Sequence, residues 1–331
     1  MPAPSLALIG CGAVAEAFYV PALRKRPSLA RSLVLVDPDR ARAEALRATL
    51  GAREAVADYK EIVGKVAGAL VLTPHHLHVP ITLELARHGV AVLCEKPLAE
   101  TAAEVDAIVE CGSPVLVNHT RRLFPAARAV KRLIERGELG ALREIHYELG
   151  APFDWPAATP AYFRGRGVLF DTGVHVVDLV CWWLGGEPEV VEYADDSRGG
   201  TEAVARVKLR LGGVEARIHL SWLTKLRNAY RIVSSKGTIE GGAYDWATFM
   251  SSGRKVRASR SWQGYEDFVG VLLDNFVEVI AGRADPLVSA ADVRAAIRVI
   301  DACYARRKTL DEPWHDAWRR LFPEERMAAN G

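Results

Sequence analysis

A glycine-rich turn near the start of the chain has the residue types and spacing of a phosphate-binding site. The segment Gly10-Cys11-Gly12-Ala13-Val14-Ala15 fits G-x-G-x-x-A and lies between an apolar run and a helical pattern. The first glycine permits a tight turn, the second lets a pyrophosphate approach the backbone, and the helix N-terminus faces the phosphates. Because the motif stands in the strand–turn–helix context that it requires, we predict a dinucleotide site here.

The second predicted strand ends at an acidic residue, Asp37. A carboxylate at this place accepts hydrogen bonds from an adenosine ribose and repels a 2′-phosphate. We therefore predict NAD as the cofactor. Arg40 lies close by and weakens this preference, so that NADP is the alternative cofactor.

Short apolar runs alternate with helical periods over the first part of the chain. This alternation is typical of βαβ units, whose parallel strands form a doubly wound sheet. We predict an NAD(P)-binding Rossmann domain over residues 1–120. Its predicted strands are 5–9, 33–36, 67–72, 90–94 and 115–118, and its predicted helices are 13–24, 39–50, 78–88 and 101–110.

The pattern then changes to longer strands that follow one another, with Gly212 and Gly213 between two of them as a hairpin turn. We predict an α+β substrate-binding and oligomerisation domain over residues 121–331, with a mostly antiparallel sheet covered by helices. Its predicted strands are 142–149, 189–194, 203–211, 214–222 and 230–234, and its helices are 124–135, 266–281 and 289–306. Apolar residues on the strands between 189 and 222 exceed what one layer of helices would cover, so we expect a homodimer or homotetramer.

Four further segments resemble the glucose–fructose oxidoreductase / inositol dehydrogenase family (Gfo/Idh/MocA). They are Thr73-Pro74-His75-His76-Leu77-His78, Glu95-Lys96-Pro97, the stretch from Asn118 to Pro125, and Asp171-Thr172-Gly173-Val174-His175 followed by Asp178. Two departures stand out: His75 replaces the family's Asn after Thr-Pro, and Arg164-Gly165-Arg166-Gly167 replaces a run of glycines. The resemblance implies hydride transfer between nicotinamide and a CH–OH or C=O carbon of a sugar, cyclitol or sugar derivative.

Such a reaction needs one group that moves the hydroxyl proton and one that steadies the developing oxyanion. The resemblance implies Lys96, Asp171 and His175 as the catalytic residues, and Lys96 and His175 supply the two functions. His175 has the more suitable intrinsic pKa for proton transfer. Asp171 lies four residues before His175, so on a helix it could orient the imidazole or bind a second substrate hydroxyl.

The same resemblance implies further contacts. The expected cofactor-binding residues, besides the glycine turn and Lys96, are Thr73, Pro74, His75, His78, Glu95 and Asn118. The expected substrate-binding residues, besides the catalytic three, are Arg121, Asp154, Trp155, Tyr162 and Tyr230. By itself, the pair Arg121–Arg122 is more typical of a solvated face.

The composition excludes several classes of function. The net charge is +2, and the basic residues are scattered, which argues against a nucleic-acid partner. The five cysteines form no CxxC pair, and the histidines near Thr73 lack suitably spaced carboxylate or cysteine partners, so we expect no metal. No apolar run reaches membrane-spanning length, and the N-terminal run is predicted as a strand rather than a signal peptide. We therefore expect a cytoplasmic protein with a small-molecule substrate.

Two alternatives remain open at this point. One is a dehydrogenase of a non-sugar substrate, such as a dihydrodiol or a tetrapyrrole. The other is a regulatory NAD(P)-binding protein that has lost catalysis, although the presence of both Lys96 and His175 speaks against it.

Overall fold

The computed structural model describes residues 4–153, 165–197, 200–259 and 264–310, which form two sheets. The first sheet has six parallel strands in the order β3-β2-β1-β4-β5-β6. They are β1 (Leu6–Ile9), β2 (Leu33–Val36), β3 (Glu54–Val56), β4 (Gly68–Val71), β5 (Ala91–Cys94) and β6 (Val115–Val117). This strand order is that of a Rossmann fold, whose ligand crevice opens where the order reverses, between β1 and β4. The prediction of a doubly wound parallel sheet is confirmed.

Helices cover this sheet between its strands. A π-helical segment, Ala15–Tyr19, runs directly into α1 (Val20–Arg24), where the sequence predicts one regular helix. The others are α2 (Pro27–Ser32), α3 (Arg40–Leu50), α4 (His78–Arg87) and α5 (Ala102–Glu110), with 3₁₀ turns at Tyr59–Ile62 and His75–Leu77. Thr101 and Glu104 form the expected capping box at the start of α5.

The second sheet has nine strands in the order β14-β13-β12-β11-β7-β10-β9-β8-β15. They are β7 (Leu142–Gly150), β8 (Glu189–Asp195), β9 (Val204–Leu211), β10 (Val214–Ser221), β11 (Ala229–Ser234), β12 (Gly237–Gly242), β13 (Thr248–Ser251), β14 (Arg254–Arg257) and β15 (Lys308–Thr309). The pairs β7–β10 and β8–β15 are parallel, and the other pairs are antiparallel. The mostly antiparallel sheet is thus confirmed. The sequence pattern misses β12 to β15 because they are short or rich in glycine and charged residues.

Five helices accompany this sheet in the described part of the chain. They are α6 (Pro125–Glu135), α7 (Val168–Asp171), α8 (Gly173–Leu184), α9 (Tyr265–Ile280) and α10 (Ala290–Ala305), and a 3₁₀ turn spans Thr120–Leu123. The helix α9 packs against the Ala15–Tyr19 segment and α1, while α10 packs against both α5 and α8. The two late helices therefore pack back against the helices of the first sheet. The division of domains at residue 120 stays a prediction.

The outward face of β9 and β10 is charged. Val207 and Ile218 are buried towards the helices, whereas the alternating residues Lys208 and Arg217 point outward and pair with Glu215. The expectation of uncovered apolar residues is wrong for these strands, because their period-two alternation sends the apolar side chains inward. The expected homo-oligomer stays a prediction.

No helix among the described residues combines the length and apolar character needed to cross a membrane.

Candidate active site

A cleft of about 410 Å³ opens between the carboxyl ends of the first sheet and the inner side of the second. The first part of the chain contributes Val14, Phe18, Thr73, His75, His78, Glu95, Lys96 and Arg121 to its walls. The second part contributes 149–153, Asp171, Thr172, His175, Ser221, Trp222, Tyr244 and Tyr265. The structure therefore brings Lys96 together with Asp171 and His175 in one cavity, although Lys96 lies 75 residues before Asp171 in sequence.

The glycine turn has the geometry that a dinucleotide needs. Gly10 has φ +96°, and a Cβ on it would lie 2.8 Å from the carbonyl oxygen of Leu72, so only glycine fits without strain. A Cβ on Gly12 would meet nothing within 4 Å, which leaves the backbone of Gly12 and Ala13 open to a ligand. The hydroxyl of Thr73 on the cleft wall is buried without a hydrogen-bond partner among the described residues. Open backbone and an unpaired buried hydroxyl fit a bound dinucleotide.

Asp37 is buried at the end of β2, next to the glycine turn. Its Oδ2 accepts a hydrogen bond from the Cys11 amide at 2.9 Å, and its Oδ1 accepts one from the Asp39 amide at 2.9 Å. Arg40 is exposed, and the arginine near this carboxylate is Arg42, whose Nη1 lies 3.7 Å from Oδ2. Arg42 is thus the basic residue that sequence reasoning missed here, and its place in the first turn of α3 is the signal that could have found it.

A first buried cluster, consisting of Tyr19, Glu95 and Asn118, lies under the cleft. The Tyr19 hydroxyl donates to Glu95 Oε1 at 2.8 Å, and the Asn118 amide donates to the same oxygen. Glu95 Oε2 accepts from the Lys96 amide at 3.2 Å. Burial raises the pKa of Glu95, and these hydrogen bonds oppose the shift. Glu95 lines the cleft, whereas Asn118 contributes by holding Glu95.

Lys96 and Asp171 form the polar centre of the cleft. Lys96 Nζ donates to Asp171 Oδ1 at 2.7 Å and to the Asp171 carbonyl oxygen at 3.0 Å, so Asp171 fixes its position. His75 joins this pair, since its Nε2 lies 3.8 Å from Asp171 Oδ1. Burial, together with the charge of Lys96, lowers the pKa of His75 well below its usual value. The residue that replaces the family's Asn therefore lies directly beside the predicted catalytic carboxylate.

His78 ties two loops of the cleft together. It is fully buried at the start of α4, after Pro74 and the 3₁₀ turn. Its Nδ1 lies 2.7 Å from the Pro97 carbonyl oxygen and its Nε2 lies 2.8 Å from the Thr73 carbonyl oxygen. Burial lowers the pKa of His78 to about 4, so one of the two contacts is a hydrogen bond of the neutral ring. His78 thereby holds the Glu95-Lys96-Pro97 loop against Thr73.

His175 lies one helical turn after Asp171 and lines the same cleft. Burial lowers the pKa of His175 well below its usual value, and the charges of Lys96 and Arg121 act in the same direction. The imidazole is therefore neutral at neutral pH, the state that can accept a proton. Its Nδ1 is buried and has no hydrogen-bond partner among the described residues.

A second buried cluster, consisting of His119, Arg122 and Asp178, lies behind His175. Arg122 donates to both carboxylate oxygens of Asp178, at 2.8 and 2.7 Å. Arg121 and Arg122 are only 8% and 7% exposed, so the interpretation of this pair as a solvated face is wrong. The reason is the distant Asp178, which provides the opposite charge that lets Arg122 be buried.

Only one of the remaining predicted substrate-binding residues in the described part of the chain lines the cleft. Arg121 lines the cleft, donates to the Tyr147 hydroxyl at 3.1 Å and stacks over the Tyr244 ring. Tyr230 does not line it, because its ring is buried against Tyr147 and Trp183. Asp154, Trp155 and Tyr162 lie outside the described residues.

Sequence reasoning missed most of the aromatic wall of the cleft. Trp222 follows the end of β10, Tyr244 follows β12, and Tyr265 begins α9. Trp222 donates from its indole nitrogen to the Thr172 hydroxyl at 2.8 Å, which fixes it beside Asp171. These residues stand at the ends of elements, where no periodicity marks them.

Within the parts of the chain that the structure describes, no three histidine, cysteine or acidic side chains converge as a metal ion would require.

Two family models match the chain. Residues 5–113 match the model described as "Oxidoreductase family, NAD-binding Rossmann fold", and residues 127–240 match the one described as "GFO/IDH/MocA C-terminal domain". Together they include the glycine turn, Lys96, Asp171 and His175, whereas Arg121, Tyr244 and Tyr265 of the cleft lie outside the matched residues.

Curated relatives and solved structures agree with these matches. Trans-1,2-dihydrobenzene-1,2-diol dehydrogenase of Oryctolagus cuniculus is 30% identical over 240 residues, which is 70% of this chain and 73% of that protein. 1,5-Anhydro-D-fructose reductase of Ensifer adhaerens is 29% identical over 252 residues, covering 71% and 74% of the two chains. The WlbA dehydrogenase from Bordetella pertussis, crystallised with NADH and UDP-GlcNAcA, shares the fold with a TM-score of 0.77 at 20% identity, covering 91% of this chain and 94% of that one.

Proposed function

Because the chain belongs to the Gfo/Idh/MocA family of NAD-binding oxidoreductases, we propose that it oxidises or reduces a ring carbon of a sugar, cyclitol or related cyclic diol. The observation that carries this proposal is the shared cleft of Lys96, Asp171 and His175. A cation, the carboxylate that fixes it, and a neutral imidazole are the groups that interconversion of an alcohol and a ketone needs.

Lys96 steadies the negative charge that develops on the substrate oxygen. Its ammonium group is held by the side chain and the carbonyl oxygen of Asp171, so it is oriented before a substrate binds. The second oxygen of Asp171 is then available to a neighbouring substrate hydroxyl.

His175 takes the hydroxyl proton during oxidation and returns it during reduction. The lowered pKa keeps the ring unprotonated over a wide range of pH, which is the state that can accept the hydroxyl proton, although it also makes the ring a weaker base. When NAD is bound, its nicotinamide ring supplies the acceptor of the hydride.

The cofactor would be held along the carboxyl ends of β1, β2, β4 and β5. The open backbone of Gly12 and Ala13, together with Val14, would hold the pyrophosphate, and Asp37 the adenosine ribose. Thr73, Glu95 and Lys96 would line the nicotinamide side. Asp37 favours NAD, while Arg42 beside it offers a cation to the 2′-phosphate of NADP.

The substrate class follows from chemistry that two relatives share. Both a 1,2-dihydrobenzene-1,2-diol and a 1,5-anhydrofructose are six-membered rings that carry oxygen on adjacent carbons. Trp222, Phe153 and Tyr244 offer apolar faces to such a ring, and Arg121 offers a donor to its oxygens. The aromatic wall and the 30% identity to the diol dehydrogenase also favour a dihydrodiol as the second candidate.

The test is NAD or NADP reduction over a panel of inositols, aldoses, anhydro sugars and trans-cyclohexanediol. On the best substrate, Lys96→Ala and His175→Gln should each lower kcat by about 100-fold or more, with NAD binding retained in a titration of protein fluorescence. Lys65→Ala, which changes an exposed lysine, is the matched control. Turnover that survives either substitution contradicts the assigned roles, and tight NAD binding without turnover on any compound favours a regulatory protein.

A further inference from the structure

The second buried cluster places a histidine directly behind the proposed acid–base residue. His119 is 1% exposed, and its ring lies edge to face against that of His175, with 5.8 Å between the ring centroids. The Nδ1 of His175 is the ring nitrogen that is buried without a partner, and both ring nitrogens of His119 also lack a well-aligned hydrogen bond among the described residues. Buried polar atoms of this kind are rare in folded proteins, and a catalytic role or an ordered water molecule is among the explanations for them.

Asp178 and Arg122 set the orientation of His119. The Nδ1 of His119 lies 3.3 Å from Asp178 Oδ2, close but off the line of a straight hydrogen bond. Arg122 binds Asp178 with two parallel hydrogen bonds and also donates to the Asp292 carbonyl oxygen at 2.9 Å. Since an ionised carboxylate only accepts hydrogen bonds, the nitrogen of His119 that faces Asp178 must carry the proton.

This arrangement determines the other nitrogen of His119. Burial lowers the pKa of His119 to about 4, so the ring is neutral at neutral pH and carries one proton. With that proton on Nδ1, its Nε2 is an acceptor. The Nδ1 of His175 has no partner among the described residues. A proton on this nitrogen could be donated to Nε2 of His119 after a small ring rotation or through one water molecule.

We infer that His119 is a positioning residue that holds His175 in the tautomer with its proton on Nδ1. The Nε2 of His175 then presents its lone pair for the substrate hydroxyl. When the substrate proton moves to Nε2, the imidazolium keeps its hydrogen bond from Nδ1 to His119, and no second proton leaves His175. This inference rests on the proposed function, because it assigns His119 a role only through His175.

The charges around the two rings define the expected pH effect. The charged groups that act on them are Lys96 from the loop after β5, Arg121 and Arg122 from the 3₁₀ turn after β6, and Asp178 of α8. Asp171 lies four residues before His175 and pairs with Lys96. An acceptor on His119 stabilises the protonated form of His175, so its removal should lower the pKa of His175 further. The acidic limb of kcat/KM for alcohol oxidation should then move to lower pH.

A direct test is the tautomer of His175 in protein labelled with ¹⁵N-histidine, read from two-bond proton–nitrogen spectra at pH 7.5 without cofactor or substrate. The signals are assigned by their loss in His175→Gln. We expect His175 and His119 to carry their protons on Nδ1. In His119→Phe, His175 should shift towards the Nε2–H form that predominates in free imidazole side chains, whereas His119→Gln, which keeps an acceptor oxygen, should retain Nδ1–H.

A His175 that is protonated on Nε2 in the unaltered protein overturns the inference, and so does a tautomer unchanged in both His119 variants. The first result can be read even if a His119 variant fails to fold.

Kinetics then separate this inference from the proposed function. On the best panel substrate, His119→Phe should lower kcat by about 10- to 100-fold, the range found for residues that orient metal-binding histidines. The affinity for NAD should be unchanged, and His119→Gln should recover part of the activity. If His175→Gln keeps its turnover, the proposed function fails. If His175→Gln loses turnover while His119→Phe keeps both kcat and the acidic limb, only the inference about His119 fails.

Discussion

The two buried clusters under the cleft each stabilise a buried carboxylate, but with different partners. In the first cluster, Glu95 is buried among the neutral donors of Tyr19 and Asn118. In the second, Asp178 is buried against the full charge of Arg122. Asn118 and His119 are adjacent in sequence, yet each belongs to a different cluster. Two adjacent residues after β6 therefore belong to two different networks. In one the buried carboxylate has only neutral partners, and in the other it is paired with an arginine.

The difference has a physical consequence for the residues above each cluster. Neutral donors leave the charge of Glu95 uncompensated within its own cluster, and burial accordingly raises its pKa. The nearest cation to Glu95 is Lys96, whose own ammonium is held by Asp171. Arg122 compensates Asp178 directly, in the bidentate geometry that confers most specificity. We therefore expect the first cluster to lose stability as the pH rises, and the second to act as an anchor at neutral pH.

The largest expected effect comes from breaking the anchor. Arg122→Ala leaves the buried Asp178 without its bidentate cation and with only the neutral His119 beside it, and should lower the free energy of unfolding by about 3–5 kcal/mol. Urea denaturation followed by tryptophan fluorescence measures this loss. The control is Arg298→Ala, which removes the exposed Arg298–Glu187 pair and should cost less than about 1 kcal/mol. Equal losses in the two variants would show that the second cluster is no anchor.

The pH dependence of stability should separate the two clusters by sign. The folded-state pKa of Glu95 is raised, so its stabilising contribution is complete below pH 4.5 and is lost as the pH rises through the raised value. The folded-state pKa of His119 is lowered to about 4, so its contribution is complete above pH 6.5 and is lost as the pH falls towards 4.

Unfolding free energies measured from pH 4 to pH 8 test this contrast. Glu95→Gln should reduce the loss of stability at rising pH, and His119→Gln should reduce the loss at falling pH. His78 has a similarly lowered pKa and remains in both variants, so some acid sensitivity should persist. If the two substitutions change the profile in the same direction, the assigned contrast is wrong.

The same two clusters show how much of the site can be predicted from the sequence. The glycine turn, the parallel sheet and the set of Lys96, Asp171 and His175 were within reach, because each depends on local pattern or on a motif. The burial of Arg122 was not, because it depends on Asp178, which is 56 residues away in sequence. A pair of arginines after a short strand has the same local sequence pattern whether it faces solvent or a buried carboxylate.

The two sides of the cleft also differ in how well their residues can be predicted from the sequence. The side formed by the first sheet is built from strand ends that recur along the chain at regular intervals, and most of its lining residues, though not Phe18, could be named in advance. The opposite side is built from the ends of β10 and β12 and the start of α9, which meet only in the folded protein. Trp222 and Tyr244 could not be distinguished from ordinary aromatic residues, whereas Tyr230, which was expected there, is part of the core.

The smallest expected effect sharpens the account of the first cluster. Tyr19→Phe removes one neutral donor from Glu95 and should lower the free energy of unfolding by about 1 kcal/mol. Because that hydrogen bond lowers the pKa of Glu95, its loss should raise the pKa further. Tyr59→Phe is the matched control, since its hydroxyl donates to the less buried Glu84 at 2.9 Å and should contribute less. The measurements are urea denaturation at pH 7 and the pH profile of stability. A Tyr19→Phe profile that matches that of the Tyr59 control would mean that Asn118 alone holds Glu95. The contrast between neutral and charged partners would then lose the support that Tyr19 gives it.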